Sequence, residues 1–187
     1  MIGSVLAHIA EGLIRPRDSL ERLLAGRPTV ADAGLMVVAA YAVQRMAVIL
    51  LAPEEEGAGL FVHLVSLSLA VAFTFMIGFL IYRIGRAFGG KATIEQSLVT
   101  AGWHALVMSL LSPLIVLGMA GAELGATAED VSPAVFLSLA LYLAAGVWLL
   151  ARFTATVHGF RNEWAVVGVI LAVSVLLSSL LMALAGG

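Results

Sequence analysis

The chain has 187 residues, of which 61% are hydrophobic and 12% are charged, and its formal net charge is −2. Soluble proteins are about half apolar and about a quarter charged, so this composition excludes a water-soluble globule, and it excludes a disordered chain as well. The small net charge provides no bulk attraction to nucleic acid, and a chain with no cysteine has no disulfide framework and no cysteine nucleophile.

Residues 1–33 precede the first long apolar run and are predicted to form a cytoplasmic N-terminal segment. Apolar residues recur at helical spacing over residues 5–13, which predicts an amphipathic helix in the membrane interface. Pro16 breaks this helix, and Asp18 or Ser19 is expected to cap a second short helix. The arginines follow the apolar stretch instead of preceding it, so no signal peptide is expected.

Residues 34–187 are predicted to form one transmembrane domain. Five runs are apolar around the whole helical circumference and long enough for a bilayer core about 30 Å thick. They are residues 34–52, 60–82, 97–120, 134–151 and 164–185. None of them alternates apolar and polar residues, which excludes the strands of a transmembrane barrel. The predicted fold class is all-α, a polytopic bundle of five spans with a short amphipathic N-terminal interfacial segment.

The basic residues predict the orientation of the chain. Nine of the ten lysines and arginines precede the first span, follow the second or follow the fourth, and the loops at the other face carry acidic residues. Because Lys and Arg beside spans stay in the cytoplasm, the N-terminus is predicted to be cytoplasmic and the C-terminus to lie on the opposite side. The expected location is the bacterial inner membrane.

Arg45 is the tenth basic residue, and it lies inside the first span. An arginine near the centre of a span costs about 2.5 to 3.5 kcal/mol on insertion scales, so it should face the bundle and not the lipid. Gln44 adjoins it, and His63 begins the second span at the same membrane face. These three residues and the outer-loop carboxylates are the candidate polar pocket, whose acidic members are Glu54, Glu55 and Glu56. Arg45 either fixes the bundle or recognises an anionic lipid or substrate.

Further candidates lie in and after the third span. Pro113 removes the donor for a carbonyl one turn earlier, which predicts a kink. His104, and the pair His158 and Arg161 after the fourth span, are candidate cytoplasmic-side residues. The histidines are too scattered for a metal pair, and the common hydrolase and phosphate-binding motifs are absent from the sequence. We therefore expect neither a metal, nor a cofactor, nor enzymatic activity.

Three segments together resemble a known family. Arg15 and Pro16 with residues 20–24 come before the first span, residues 88–98 before the third, and His158-Gly159-Phe160 before a fifth span that begins Trp164-Ala165. This order resembles the Yip (Ypt/Rab-interacting protein) domain family in its bacterial form, over about residues 15–182. The resemblance implies a five-span integral membrane protein with a cytoplasmic N-terminus.

Eukaryotic members of that family act in vesicle traffic and bind Rab GTPases through a long cytoplasmic N-terminal region. The segment before the first span has only 33 residues here, and the Asp-Leu-x-Gly-Pro type motif of those relatives is missing. A GTPase partner is therefore not carried over to this chain.

Two hypotheses for the function follow. The first is a non-enzymatic membrane protein of the Yip type that binds or organises lipids or other membrane proteins. The second is a small transporter or channel-like permease. The odd number of spans and the single intramembrane charge argue against this second hypothesis. The expected partners are membrane lipids, other membrane proteins or a second copy of the chain, and no nucleic acid.

Overall fold

The computed structural model describes residues 2–51, 59–123 and 133–185. In these residues the chain forms helices throughout and no strand, which confirms the all-α prediction. The helices are α1 (Ile2–Ile14), α2 (Pro16–Ala25), α3 (Val30–Leu51), α4 (Leu60–Ala87), α5 (Ile94–Ser109), α6 (Ser112–Glu123), α7 (Pro133–His158) and α8 (Glu163–Ala185).

Within the described ranges, three helices are long and apolar enough to cross a membrane. They are α3, α4 and the part of α7 from Val135 to His158, and a shorter apolar stretch, Glu163–Leu176, lies in α8. The third predicted span is divided between α5, with 16 residues, and α6, with 12. The structure therefore supports a multi-pass membrane protein, whereas five complete spans remain a prediction.

Helix α5 lies at the centre of the bundle, where it packs against α3, α4 and α7. Glycines permit the close approach of the neighbouring backbones. A Cβ at Gly102 would come within 2.8 Å of the Ala33 carbonyl oxygen, and one at Gly78 within 2.9 Å of the Leu98 Cα. Small residues of this kind hold helices together where lipid is as apolar as the side chains.

The start of α5 is defined by a capping box. The Thr93 hydroxyl oxygen accepts a hydrogen bond from the Gln96 backbone N–H at 3.2 Å, and the Gln96 side-chain oxygen accepts one from the Thr93 N–H at 3.0 Å. Two backbone donors that have no partner within the helix are thereby satisfied.

The N-terminal helices pack on the bundle, α1 against α5 and α2 against α7. Ile9 and Leu20 are buried in a core cluster that includes Trp103 and Phe153. An ion pair between Glu11 and Arg22 joins α1 to α2.

Helix α2 begins at Pro16, so the expected cap at Asp18 or Ser19 is wrong. Proline is favoured in the first helical position because its φ is already helical and its missing N–H would have no partner there. Ser19 is fully buried, and its hydroxyl donates a hydrogen bond to the Pro16 carbonyl at 2.9 Å.

The helix of the predicted third span is broken between α5 and α6, directly before Pro113. Because proline has no N–H, the Ser109 carbonyl lacks its usual helical donor. The Ser112 hydroxyl donates to that carbonyl at 2.7 Å, and the Ser109 hydroxyl donates to the Leu106 carbonyl at 2.7 Å. The Ser109 carbonyl, which has no backbone donor at Pro113, is thus hydrogen-bonded by the Ser112 side chain.

Candidate functional site: a lipid-facing groove beside His158

The predicted polar pocket around Arg45 is described only in part. The Tyr41 hydroxyl lies 3.3 Å from Nδ1 of His63, a contact that joins α3 to α4. Gln44 and Arg45 lie within one turn of Tyr41 and are half-buried. Glu54, Glu55 and Glu56 lie outside the described residues, and inside them no carboxylate pairs with Arg45. The complete pocket stays a prediction.

His104 contacts α7 in the middle of that helix. Its Nε2 lies 3.1 Å from the Gly146 carbonyl oxygen, and its ring meets Phe153 edge-on with 6.3 Å between ring centroids. Gly146 and His158 are about 18 Å apart along α7, at about 1.5 Å per residue. His104 and His158 therefore belong to different sites, and the described parts of the chain hold no group of side chains that would bind a metal ion.

His158 connects the ends of α4 and α7. Its side chain is 2% exposed, and its Nε2 lies 3.1 Å from the Ile81 carbonyl oxygen. A carbonyl only accepts hydrogen bonds, so Nε2 carries the proton of this imidazole. The ring also stacks on Phe160 at 5.4 Å between centroids.

Two glycines create the space for the His158 ring. A Cβ at Gly85 in α4 or at Gly90 in the following loop would overlap the ring. The Gly90 N–H donates to the Gly85 carbonyl at 2.8 Å, and Gly89 turns the chain with a φ of 81°. We call this arrangement the His158 junction, and its members are Ile81, Gly85, Gly90, His158 and Phe160.

An apolar groove with a volume of about 510 Å³ begins beside the His158 junction. One wall is formed by residues of α4 between Phe73 and Gly85, with Phe88 just after the helix. The other is formed by residues between Asn162 and Ser174, in and just before α8, and Leu150 and Thr154 of α7 lie between the walls. The walls are about 22 Å and 18 Å long at about 1.5 Å per residue. One leaflet is about 20–22 Å thick when its headgroup region is included, so the groove is about as long as one leaflet.

Three polar side chains are gathered at the end of the groove beside the junction: Thr154, Arg161 and Asn162. The Thr154 side chain is 7% exposed, and its hydroxyl has no hydrogen-bond partner in the described part of the chain. Asn162 caps the start of α8, because its Oδ1 accepts hydrogen bonds from the backbone N–H groups of Trp164 and Ala165 at 3.1 and 3.4 Å. Arg161 is exposed at this end.

Arg152 lies near this region, but its charge is already compensated. Its guanidinium lies 2.9 Å from the Glu163 carboxylate and 5.3 Å from the ring centroid of Trp148. It does not line the groove. Arg161 is therefore the basic side chain that faces the groove among the described residues.

Sequence reasoning singled out His158 and Arg161, but it missed Thr154 and the groove. A threonine in an apolar helix is common, and its side chain usually bonds to a carbonyl of the preceding turn. Only the arrangement of α4, α7 and α8 shows that this residue lines a cavity.

Comparison with known proteins agrees with the sequence resemblance. The family model described as the Yip1 domain matches residues 11–184. No curated protein and no solved structure matches the chain. The matched range includes all three segments that carry the resemblance, and the structure brings two of them, residues 88–98 and 158–160, together at the His158 junction. The chain therefore belongs to the Yip1 domain family.

Proposed function

We propose that this Yip-family protein is a non-catalytic membrane protein that binds a membrane lipid in the groove between α4 and α8. The observation that carries the proposal is an apolar groove as long as one leaflet, with all but one of its polar lining side chains at one end. A lipid has the same division, because its acyl chains are apolar and its headgroup is polar. Five spans, a cytoplasmic N-terminus and a location in the bacterial inner membrane belong to this proposal.

The surroundings of the groove support a lipid as its occupant. Phe73, Met76 and Phe88 line it and are each about half exposed or more, so the groove opens sideways toward the space that a bilayer fills. An apolar surface of this kind is covered by acyl chains in a membrane. Arg86 and Lys91 lie beyond the same end, which the positive-inside rule assigns to the cytoplasmic leaflet.

A transporter or channel-like permease is the second candidate, and the divided third span is the observation that favours it. Discontinuous helices supply free backbone groups to substrate sites in secondary transporters. Here, however, the Ser112 hydroxyl already occupies the freed Ser109 carbonyl. Lipid binding is therefore the better-supported proposal.

The test fills the groove with a large side chain. Val169 of α8 lines the groove, whereas Val175 of the same helix is 64% exposed and does not line it. We expect the parent and Val175→Trp to retain a bound lipid through purification in detergent, and Val169→Trp to lose it, by native mass spectrometry. Equal lipid retention in Val169→Trp and the parent would refute the proposal.

A liposome assay separates the two candidates. Purified protein in liposomes is tested for the flux of ions and small solutes and for lipid scrambling. We expect no solute flux above that of empty liposomes. Strong solute flux that is abolished by Arg45→Ala would favour the transporter and contradict a purely lipid-binding role.

A further inference from the structure

The polar end of the groove indicates which lipid it binds, an inference that rests on the proposed function. We propose that the groove selects an anionic phospholipid, whose phosphate is bound by Arg161 and whose ester region accepts a hydrogen bond from Thr154. Two separate observations support this proposal, an unpartnered buried hydroxyl and an uncompensated guanidinium.

The Thr154 hydroxyl is the first observation. Nearly all buried polar groups in proteins have a hydrogen-bond partner. Thr156, two residues further along α7, follows this rule, because its hydroxyl donates to the Arg152 carbonyl at 2.8 Å. The Thr154 hydroxyl is buried and has no such partner among the described residues, and Thr154 is one of the residues that line the groove. An ester carbonyl of a bound lipid supplies the missing acceptor.

The Arg161 guanidinium is the second observation. The described residues that line the groove include no Asp or Glu, and the nearby carboxylate of Glu163 is paired with Arg152 at 2.9 Å. Arg161 therefore presents an uncompensated positive charge at the groove. A guanidinium binds phosphate oxygens through two parallel N–H groups, which makes it well suited to a phospholipid headgroup.

The depth of these groups matches that of a phospholipid. Arg83 in α4 and the Arg152–Glu163 pair mark the level at which charged residues begin, and Arg161 lies in the loop just beyond that pair. Thr154 lies about one turn before the end of α7. The hydroxyl and the guanidinium thus follow the order of ester group and phosphate in a lipid.

The charge of the surroundings favours a headgroup with a net negative charge. Zwitterionic lipids also carry a phosphate, but their headgroups add a cation. Arg86 donates a hydrogen bond to the Gly90 carbonyl at 3.3 Å, and Lys91 is exposed in the same loop. These positive charges repel an ammonium group and attract an anionic headgroup.

The test titrates the detergent-purified protein with phosphatidylglycerol or phosphatidylcholine of identical acyl chains and follows binding by native mass spectrometry. We expect the parent to bind phosphatidylglycerol about tenfold more tightly, because the positive charges at this end attract a headgroup with a net negative charge and repel an ammonium group. Arg161→Gln removes the basic side chain that lines the groove and should reduce this preference, and Thr154→Val should weaken the binding of both lipids, because both carry ester carbonyls.

Arg83→Gln is the matched control, because Arg83 is exposed at the same end of α4 but does not line the groove. It should retain the preference of the parent. Equal loss of preference in Arg83→Gln and Arg161→Gln would reduce the effect to general surface charge and overturn the inference.

The inference and the proposed function fail in different ways. If the parent binds both lipids equally, and Val169→Trp abolishes both, the selectivity is wrong and lipid binding stands. If Val169→Trp binds both lipids as the parent does, the groove is not the lipid site and both proposals fail. Circular dichroism of each variant confirms that the helices are retained.

Discussion

The imidazole ring of His158 occupies the space that a side chain at Gly85 would need. This contact joins the last turn of α4 to the last residue of α7, and the hydrogen bond to the Ile81 carbonyl fixes the orientation of the ring. The groove begins at this contact, since Ile81 and Gly85 line it. The geometry of the groove therefore depends on a fit between one glycine and one histidine.

A double-mutant cycle tests this fit. Gly85→Ala alone should lower the Tm in detergent, because overpacking a tight contact costs about 1–3 kcal/mol. In a His158→Ala background the ring is gone, and Gly85→Ala should raise the Tm, since alanine is favoured over glycine in a helix by about 1 kcal/mol. Gly168→Ala is the control, because a Cβ there meets nothing within 4 Å. The same effect of Gly85→Ala in both backgrounds would contradict the fit.

The capping box at the start of α5 provides a second prediction. Thr93→Ala removes the oxygen that accepts from the Gln96 N–H, and it should cost about 1 kcal/mol of stability. Thr93→Ser keeps this oxygen and should unfold close to the parent temperature. Thermal unfolding in detergent, followed by circular dichroism, measures both. Identical Tm values for the alanine and serine variants would show that the cap is not needed for stability.

Arg45→Met separates the two roles considered for this arginine. Methionine is similar in length and has no cost of removing a charge from water, so we expect a Tm in detergent near or above that of the parent and an unchanged lipid content. Lost lipid binding in a folded Arg45→Met protein would instead show that Arg45 recognises a ligand, and Arg45→Lys should then rescue binding only partly.

The orientation of the chain is testable because the sequence has no native cysteine. Single cysteines at the exposed positions Lys91 and Glu95 should be protected from an impermeant thiol reagent in intact cells, whereas those at Gly59 and Pro133 should react. All four should react after lysis. Labelling of Lys91→Cys in intact cells would reverse the proposed orientation.

Hydropathy is sufficient to predict the long apolar helices α3, α4 and α7, each of which could cross a membrane. The bilayer requires a minimum apolar length, and the sequence displays this length directly. The division of the third span is a local effect, and Pro113 signals it. The predicted cap of α2 at Asp18 or Ser19 is wrong because the preference of Pro16 for the first helical position decides where this helix begins.

The groove could not be predicted in the same way. Its walls come from α4 and α8, which are separated by about 75 residues in the sequence, and the resulting cavity depends on how α7 holds them apart. The sequence does place His158 beside Arg161, and it places Gly89-Gly90 after α4. It contains no signal that the two segments meet.

The length of α4 has a consequence for the choice of membrane. With 28 residues it extends about 42 Å, and α7 with 26 residues extends about 39 Å. Both exceed a hydrocarbon core of about 30 Å, and a helix that is too long responds by tilting or by locally thickening the bilayer. Because His158 holds the two helix ends in contact, a change in tilt of either helix pivots about this contact. A thinner membrane would therefore tilt α4 and α7 about one shared point, beside which the groove begins.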